Sequence, residues 1–308
     1  MRLATDLAPV GVSDRVPRVS GGTSLTLGDR DPPRPNRLTC AAMSADVAER
    51  FHDRVRYERT GHVATITYDR PDKLNAIDGA MREGLNEAFS RFRADDEAWV
   101  GVVTGEGRAF CAGADFASEG NPAGDFPGSY WERPTVNSFE SGWEIHKPVV
   151  AAVNGLCLGY GLTLVTWCDI VIASDRATFG FPEVKLGVPT IVGALRLPGR
   201  IGWQPSMELL LTGETISAAR AKEIGLVLQV VPHDGLPGAV EAMTTRLLAG
   251  APLAQRAIKE VARRGPEMAQ TDAIRFGETM RRVAGSTEDA VEGATAAREK
   301  RPPRWEAR

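Results

Sequence analysis

The chain has 308 residues and is 43% hydrophobic, so it can bury a sizeable core in one or two domains. Its 37 basic and 40 acidic residues give a formal net charge of −3. That balance excludes the strongly basic surface typical of nucleic-acid-binding proteins. We therefore expect no nucleic-acid partner. No apolar run reaches the roughly 18 residues that span a bilayer, so we also expect no membrane span.

The cysteines and histidines show no metal-binding or disulfide pattern. The cysteines are Cys40, Cys111, Cys157 and Cys168. None are spaced as C-x-x-C and they are too few to cross-link a chain of this length, so we expect reduced, mostly buried thiols in a cytoplasmic protein. The histidines include no H-E-x-x-H pair, and we therefore expect no metal site.

Residues 1–42 differ in composition from the rest of the chain. They are rich in proline and show little apolar periodicity. They lack the continuous apolar core of a secretory signal, and their acidic residues are unlike those of a transit peptide. We expect a disordered N-terminal extension, or an upstream start with Met43 as the true initiator. Residues 43–308 would then be the folded domain, with a core at about 55–250 and a helical region at about 251–308.

The first elements after the extension are predicted from periodicity. Alternating polarity over Val55–Glu58 and His62–Tyr68 predicts a β-hairpin. Asp78 is placed to cap a helix, and Trp99–Thr104 predicts a short strand. The apolar residues on one face of that helix would be Met81, Leu85, Phe89 and Phe92.

The middle of the chain combines loops with buried strands. Glycines punctuate Gly105–Asp115, and residues 117–146 lack periodicity, which predicts a long loop of the kind that often carries function. Pro148–Val153 and Asp169–Ala173 predict strands, separated by a turn and a short helix from about Gly161.

The remainder of the chain, after Pro205, is predicted to be mainly helical. The predicted helices lie near 206–212, 217–224, 235–249, 252–264, 269–284 and 286–298, with one strand at Leu226–Val231. Strands that alternate with helices and are followed by a helical tail predict an α/β core with an appended helical region.

Several common enzyme motifs are absent. There is no G-x-G-x-x-G dinucleotide fingerprint, no phosphate-binding loop ending in Gly-Lys-Ser/Thr, and no G-x-S-x-G nucleophile elbow. Four other segments stand out together. They are Arg70–Ala76, Phe110–Asp115, Lys147–Gly161 and Ala177–Gly187. In this order they closely resemble the signature blocks of the enoyl-CoA hydratase/isomerase (crotonase) family. Leu211–Leu226 resembles the next block, so the resemblance extends from about Val55 to the C-terminus.

The resemblance implies a fold and an oxyanion site. The fold is a spiral of ββα units with C-terminal helices, usually assembled as trimers or dimers of trimers. The substrate is an acyl-CoA, with CoA as part of the substrate and no separate cofactor. The backbone N–H groups of Ala76 and Tyr160 would form an oxyanion hole, because fixed amide dipoles stabilise the charge that develops on a thioester oxygen. Tyr160 precedes a helix, whose N-terminus favours an anion.

Two positions depart from the family pattern. The family usually has glycine where Tyr160 stands, so the tyrosine side chain is expected to narrow the acyl pocket. Many family hydratases have a glutamate at the position of Thr163, paired with one that matches Glu183. Two carboxylates suit hydration, because one can activate water while the other handles the α-proton. Threonine cannot act as a general base near neutral pH.

Glu183 is the remaining well-placed carboxylate. An apolar pocket would raise its pKa toward the range useful for proton transfer. Acidic residues of the predicted loop could assist it, with no basis for a choice among them: Glu119, Asp125, Glu132, Glu140 and Glu144. The backbone of Ala112, Ala114, Asp115 and Phe116 and the side chain of Lys73 would hold CoA.

One carboxylate makes double-bond isomerisation slightly favoured, because a single glutamate can remove a proton from one carbon and return it to another. Hydration or dehydration with an unidentified second group is the close alternative. A catalytically silent acyl-CoA-binding protein is the alternative from another class. The absence of the first glutamate supports it, whereas the presence of Glu183 counts against it.

Overall fold

The computed structural model describes residues 46–115 and 144–308, all of them within the unit Met43–Arg308. The predicted extension at 1–42 and most of the predicted loop at 117–146 lie outside the described residues. The described residues contain two β-sheets followed by a helical C-terminal region, as expected for an α/β protein with an appended helical tail.

The strands form a larger and a smaller sheet. They are β1 (Val47–Phe51), β2 (Val55–Thr60), β3 (Val63–Tyr68), β4 (Val100–Gly105), β5 (Ala109–Cys111), β6 (Val149–Val153), β7 (Leu156–Leu158), β8 (Ile170–Ser174), β9 (Thr178–Gly180), β10 (Thr215–Ser217) and β11 (Gln229–Val231). The seven-stranded sheet has the order β1-β2-β3-β4-β6-β8-β11, and the four-stranded sheet has the order β10-β9-β7-β5. The pairs from β3 to β11 in the larger sheet are parallel.

Of the helices in the described residues, five lie between the strands and four follow the last strand. They are α1 (Gly79–Ala94), α2 (Tyr160–Trp167), α3 (Val192–Ile201), α4 (Trp203–Thr212), α5 (Ala218–Glu223), α6 (Leu236–Leu248), α7 (Pro252–Arg264), α8 (Gln270–Gly285) and α9 (Glu288–Glu299). Short 3₁₀ turns at Pro71–Lys73 and Pro182–Leu186 carry two of the predicted site segments.

The chain alternates between the two sheets as it advances. Strand β4 belongs to the larger sheet and β5 to the smaller one, and the same alternation recurs for β6 with β7 and for β8 with β9. Helix α2 follows β7 directly and completes a ββα unit. This path is the predicted spiral. It also places the ends of β5, β7 and β9 side by side, because those strands are parallel neighbours.

Local sequence explains the best-predicted elements. Gly61 has a φ of 55° in the turn of the predicted hairpin between β2 and β3. The Asp78 side chain accepts a hydrogen bond from the Met81 N–H at 2.7 Å and so caps α1. The predicted apolar face of α1 is fully buried in the main core. A second core cluster packs α6 against the other face of the larger sheet.

The elements that sequence patterns missed are short or irregular. Strands β5, β7 and β10 have three residues each, which is too few to show alternation. Helix α3 contains Pro198, a residue that normally ends a helix. Strand β1 pairs antiparallel with β2 at the sheet edge and was not predicted.

Candidate active site

A sharp turn fixed by Asn75 presents the backbone of Ala76. Leu74 and Asn75 have left-handed φ angles of 53° and 57°. Asn75 is fully buried, and its side-chain oxygen accepts from the Arg70 N–H at 2.9 Å. Its amide group donates to the carbonyls of Glu106 and Ala109 at 3.0 and 2.8 Å. Asparagine tolerates this conformation better than most residues do, so its side chain and its backbone both specify the turn.

Arg70 ties the same turn to two acidic side chains. Its guanidinium donates to the Ala76 carbonyl at 3.1 Å and lies 2.7 Å from the Asp115 carboxylate and 3.3 Å from that of Asp78. The Arg70 side chain is only 13% exposed, so these contacts are weakly screened. Sequence analysis assigned neither Arg70 nor Asn75 a role, although both lie within the first quoted block.

The predicted CoA-binding segment lies directly against the Ala76 turn. The Ala112 N–H donates to the Leu74 carbonyl at 3.0 Å, and Ala114 forms a parallel bridge with Ile77. The Asp115 N–H donates to the Ile77 carbonyl at 2.9 Å. Lys73 is exposed, and its carbonyl accepts from the Ala76 N–H at 3.0 Å. Phe116 lies outside the described residues.

Helix α2 begins at the predicted second oxyanion residue. Gly159 is the residue before the helix, with a φ of 52°, and no side chain caps this end. Tyr160 is the first helical residue, a position whose N–H group has no partner within a helix. A Cβ atom on Gly161 would lie 2.7 Å from the Cβ of Cys111. Glycine at 161 is therefore what lets α2 pack directly against β5.

Glu183 lies next to the start of α2. The Gly159 N–H donates to the Gly180 carbonyl at 3.0 Å, which joins the end of β7 to the end of β9. The Glu183 Oε1 atom is 2.9 Å from where a Cβ on Gly159 would stand. Its Oε2 atom is buried and has no hydrogen-bond partner among the described residues. Burial raises the pKa of Glu183, in the direction expected from sequence.

Gly113 lies between the Ala76 turn and the start of α2. The Ile77 N–H donates to the Gly113 carbonyl at 2.8 Å. A Cβ on Gly113, which has a φ of 95°, would lie 3.8 Å from the Gly159 Cα atom. The Ala76 turn, Gly113, Gly159 and Glu183 are thus successive neighbours. The structure brings Ala76, Tyr160 and Glu183 to one place, at the ends of parallel strands.

Thr163 lies one turn further along α2. It is 3% exposed, and its N–H donates to the Gly159 carbonyl at 2.8 Å. Among the acidic residues named as possible helpers, Glu144 is at the surface and pairs with Arg264 at 2.8 Å. The others, Glu119, Asp125, Glu132 and Glu140, lie outside the described residues. Within residues 46–115 and 144–308, no second carboxylate contributes to the raised pKa of Glu183.

The sequence and the fold of this chain are similar to those of known proteins. The profile of the enoyl-CoA hydratase/isomerase family matches residues 58 to 308. A carnitinyl-CoA dehydratase of Salmonella arizonae is 38% identical over 262 residues, covering 82% of this chain and 97% of that protein. A probable mitochondrial enoyl-CoA hydratase of Dictyostelium discoideum is 35% identical over 249 residues, covering 80% of this chain and 89% of that protein.

A solved structure shows the same similarity. The crystal structure of an enoyl-CoA hydratase/isomerase from Mycobacterium paratuberculosis has a TM-score of 0.73 and 38% identity, covering 83% of this chain and 99% of that one. The fold is therefore that of the crotonase superfamily. Within that superfamily the chain belongs to the enoyl-CoA hydratase/isomerase family of enzymes, which confirms the resemblance of its sequence blocks.

The described residues include three of the four cysteines and all the helices given above. Cys111, Cys157 and Cys168 are buried, as predicted, whereas Cys40 lies outside the described residues. None of the helices in residues 46–115 and 144–308 is long and apolar enough to cross a bilayer.

Replacing Asn75 should destabilise the protein, and alanine should destabilise it more than glycine does. Asn75→Ala removes three hydrogen bonds and leaves alanine at a positive φ, so we expect a loss of about 3 kcal/mol in the free energy of unfolding. Asn75→Gly loses the same bonds without the conformational penalty and should lose less. Urea unfolding of both variants measures the difference. A loss below about 1 kcal/mol in both would show that the side chain does not fix the turn.

Proposed function

We propose that this enzyme removes and returns the α-proton of an acyl-CoA thioester. Glu183 acts as the acid/base, and the N–H groups of Ala76 and Tyr160 stabilise the enolate oxygen. The observation that carries the proposal is the desolvated Glu183 carboxylate beside the start of α2, because a raised pKa suits a group that must both accept and donate a proton. The negative charge then passes from Glu183 to the thioester oxygen.

The two proposed oxyanion donors differ in their surroundings. Tyr160 opens α2, where the helix dipole favours an anion. The Ala76 N–H already donates to the Lys73 carbonyl at 3.0 Å. A thioester oxygen would share this donor in a three-centre hydrogen bond, an arrangement common where tight turns meet helix ends. The turn held by Asn75 and Arg70 keeps the N–H in place without reorganisation.

CoA would be held along the segment beside this turn. We assign its binding to Lys73 and to the backbone of Ala112 and Ala114, with Phe116 following outside the described residues. Asp115 would act differently from the others, since its carboxylate pairs with Arg70 and would repel a phosphate. Its contribution is to hold the two loops together. CoA is part of the substrate in this proposal, and no separate cofactor takes part.

Two reactions that pass through such an enolate are candidates. A single carboxylate favours moving a double bond, because Glu183 can return the proton to a different carbon. Hydration or dehydration is supported by the names of the relatives, which include enoyl-CoA hydratases and carnitinyl-CoA dehydratases. It needs a second group to activate or release water, and the buried Thr163 hydroxyl could only orient that water.

The substitution Glu183→Gln tests the proton transfer. The amide has a similar shape but cannot accept a proton, so exchange of the α-proton of butanoyl-CoA in D₂O should fall at least about a hundredfold. Thr163→Ala is the matched control on the neighbouring helix and should lose much less. Mass spectrometry follows deuterium uptake. The products from 2-enoyl-CoA and 3-enoyl-CoA then distinguish hydration from isomerisation. Wild-type exchange rates in Glu183→Gln would place the base elsewhere.

The Tm of Glu183→Gln shows whether this variant keeps its fold. Burial raises the pKa of Glu183 above its ordinary value of 4.5, so the ionised carboxylate destabilises the folded state as the pH rises past that value. Glutamine cannot ionise. Glu183→Gln should therefore have a higher Tm than the wild type at a pH of about 7.5, and a smaller advantage at about 4.5. A lower Tm at both pH values would mean that exchange was lost through misfolding.

We also propose that the chain assembles as a homotrimer or hexamer. Large apolar side chains are exposed on several helices and on the turn that carries Glu183, more than isolated surface residues would account for. They include Val184, Leu186, Val188, Ile191, Leu195, Trp203, Leu211, Ile258, Ile274, Val283 and Val291. Burial of these side chains between copies would supply the free energy of assembly.

Light scattering at micromolar concentration should give the mass of three or six chains. Leu195→Glu places a charge on a side chain that is 78% exposed in the single chain and should reduce that mass. Lys222→Glu adds a glutamate at an exposed position of α5 and should leave the mass unchanged. A monomeric wild type would contradict the assembly proposal.

A further inference from the structure

Cationic side chains bind the C-terminal end of α2. The last carbonyl groups of a helix have no partner within it. Here the Thr166 carbonyl accepts from the Arg200 Nε–H at 3.0 Å, and the Cys168 carbonyl accepts from the same guanidinium. The Trp167 carbonyl accepts from Arg263 at 2.7 Å. Two guanidinium groups, one from α3 and one from α7, therefore bind the carbonyls at which α2 ends.

Lys259 adds a third cation at this end of the helix. Its side chain is 8% exposed, and its Nζ atom lies 2.6 Å from the Asp169 carboxylate, which Arg263 shares at 3.2 Å. Lys259 and Arg263 also lie 5.2 and 4.9 Å from the centre of the ring of Trp167, the last residue of α2. Asp169 attracts Arg200 as well. Three positive side chains, Arg200, Lys259 and Arg263, thus share this one carboxylate, and we call them the α2 cations.

The α2 cations affect the electrostatic potential at the other end of this helix. The C-terminal carbonyls of a helix carry a partial negative charge, which opposes the positive potential of its N-terminal N–H groups. Helix α2 has eight residues, so its ends are about 12 Å apart. Residues 161–167 are all buried, so little solvent screens one end from the other. The α2 cations therefore offset the negative end and make the potential at the Tyr160 N–H more positive.

We propose that Arg200, Lys259 and Arg263 are positioning residues that act through α2 to strengthen the oxyanion site at its start. They hold the helix by its last carbonyls and favour negative charge beside the Tyr160 N–H. The inference rests on the proposed function, because it requires the thioester oxygen to bind this N–H group. An enolate carries a full negative charge and gains more from the added potential than a neutral thioester does, so the α2 cations stabilise the enolate selectively.

Binding of acetoacetyl-CoA tests this role without any turnover. The ultraviolet absorbance of its enolate gives the ratio of the enolate to the keto form in the bound ligand. Burial lowers the pKa of Lys259 to about 8, so the ratio is measured at a pH of about 6.5, where this side chain is charged. The wild type should raise the ratio above that of free acetoacetyl-CoA. Arg200→Gln and Arg263→Gln keep an N–H donor without the charge, and each should lower the ratio about threefold.

Further variants separate the effect of charge from that of folding. Arg200→Lys and Arg263→Lys should restore most of the ratio, because the ammonium group keeps the positive charge. Arg264→Gln is the matched control. Arg264 follows Arg263 in α7 but pairs with Glu144 and Glu260, so its loss should leave the ratio unchanged. The affinity for butanoyl-CoA, a neutral thioester, should change less than about twofold in every variant when measured by calorimetry.

The outcomes separate this inference from the proposed function. A raised ratio in the wild type that persists in both glutamine variants would overturn only the role of the α2 cations. An equal loss in the lysine variants would also overturn it, because the charge would then not be the cause. A lower ratio with a matching loss of butanoyl-CoA affinity would overturn it as well, since it would indicate damage to the site. A wild type that does not raise the ratio at all would contradict the proposed oxyanion site itself.

Discussion

The burial of the Glu183 carboxylate is the constraint on which the site depends. One of its oxygens lies 2.9 Å from where the Cβ atom of any side chain on residue 159 would stand, and the other is buried without a partner among the described residues. A carboxylate in this setting is costly in its charged form, which is why its pKa rises. Gly159, with its positive φ, both makes room for this group and starts α2. The same glycine therefore sets the positions of the proposed base and of one proposed oxyanion donor.

Two buried asparagines hold the other side of the site. Asn75 and Asn154 both donate to carbonyls of the segment between β4 and β5, Asn154 to Gly105 and Gly107 at 2.8 Å each. Arg70 then joins the Ala76 turn to Asp115. These side chains replace regular backbone pairing where the chain leaves its sheets. The loops can consequently present N–H groups in a fixed direction, as electrostatic stabilisation of an enolate requires.

The elements that could be predicted from the sequence are those with local signals. Helix α1 shows a cap at Asp78 and a periodic apolar face, and the ordered blocks around Ala76, Tyr160 and Glu183 indicated the family. Arg70 forms an ion pair with Asp115, and the Arg82 guanidinium lies over the Tyr160 ring. Both contacts join residues that are far apart in the chain, and no spacing rule reveals them. The left-handed backbone conformation of Asn75 could not be predicted either, because the sequence does not distinguish such an asparagine from any other.

Measuring the pKa of Glu183 in the protein without substrate is the most direct test of whether this side chain is a buried base. Infrared difference spectra between the wild type and Glu183→Gln, recorded across pH, isolate the carboxylic acid band of this one side chain. A titration midpoint clearly above the ordinary value of 4.5 is the predicted result, because desolvation disfavours the charged form. A midpoint at or below that value would show a well-solvated or ion-paired carboxylate, and Glu183 could not then be the buried base on which the proposed function depends.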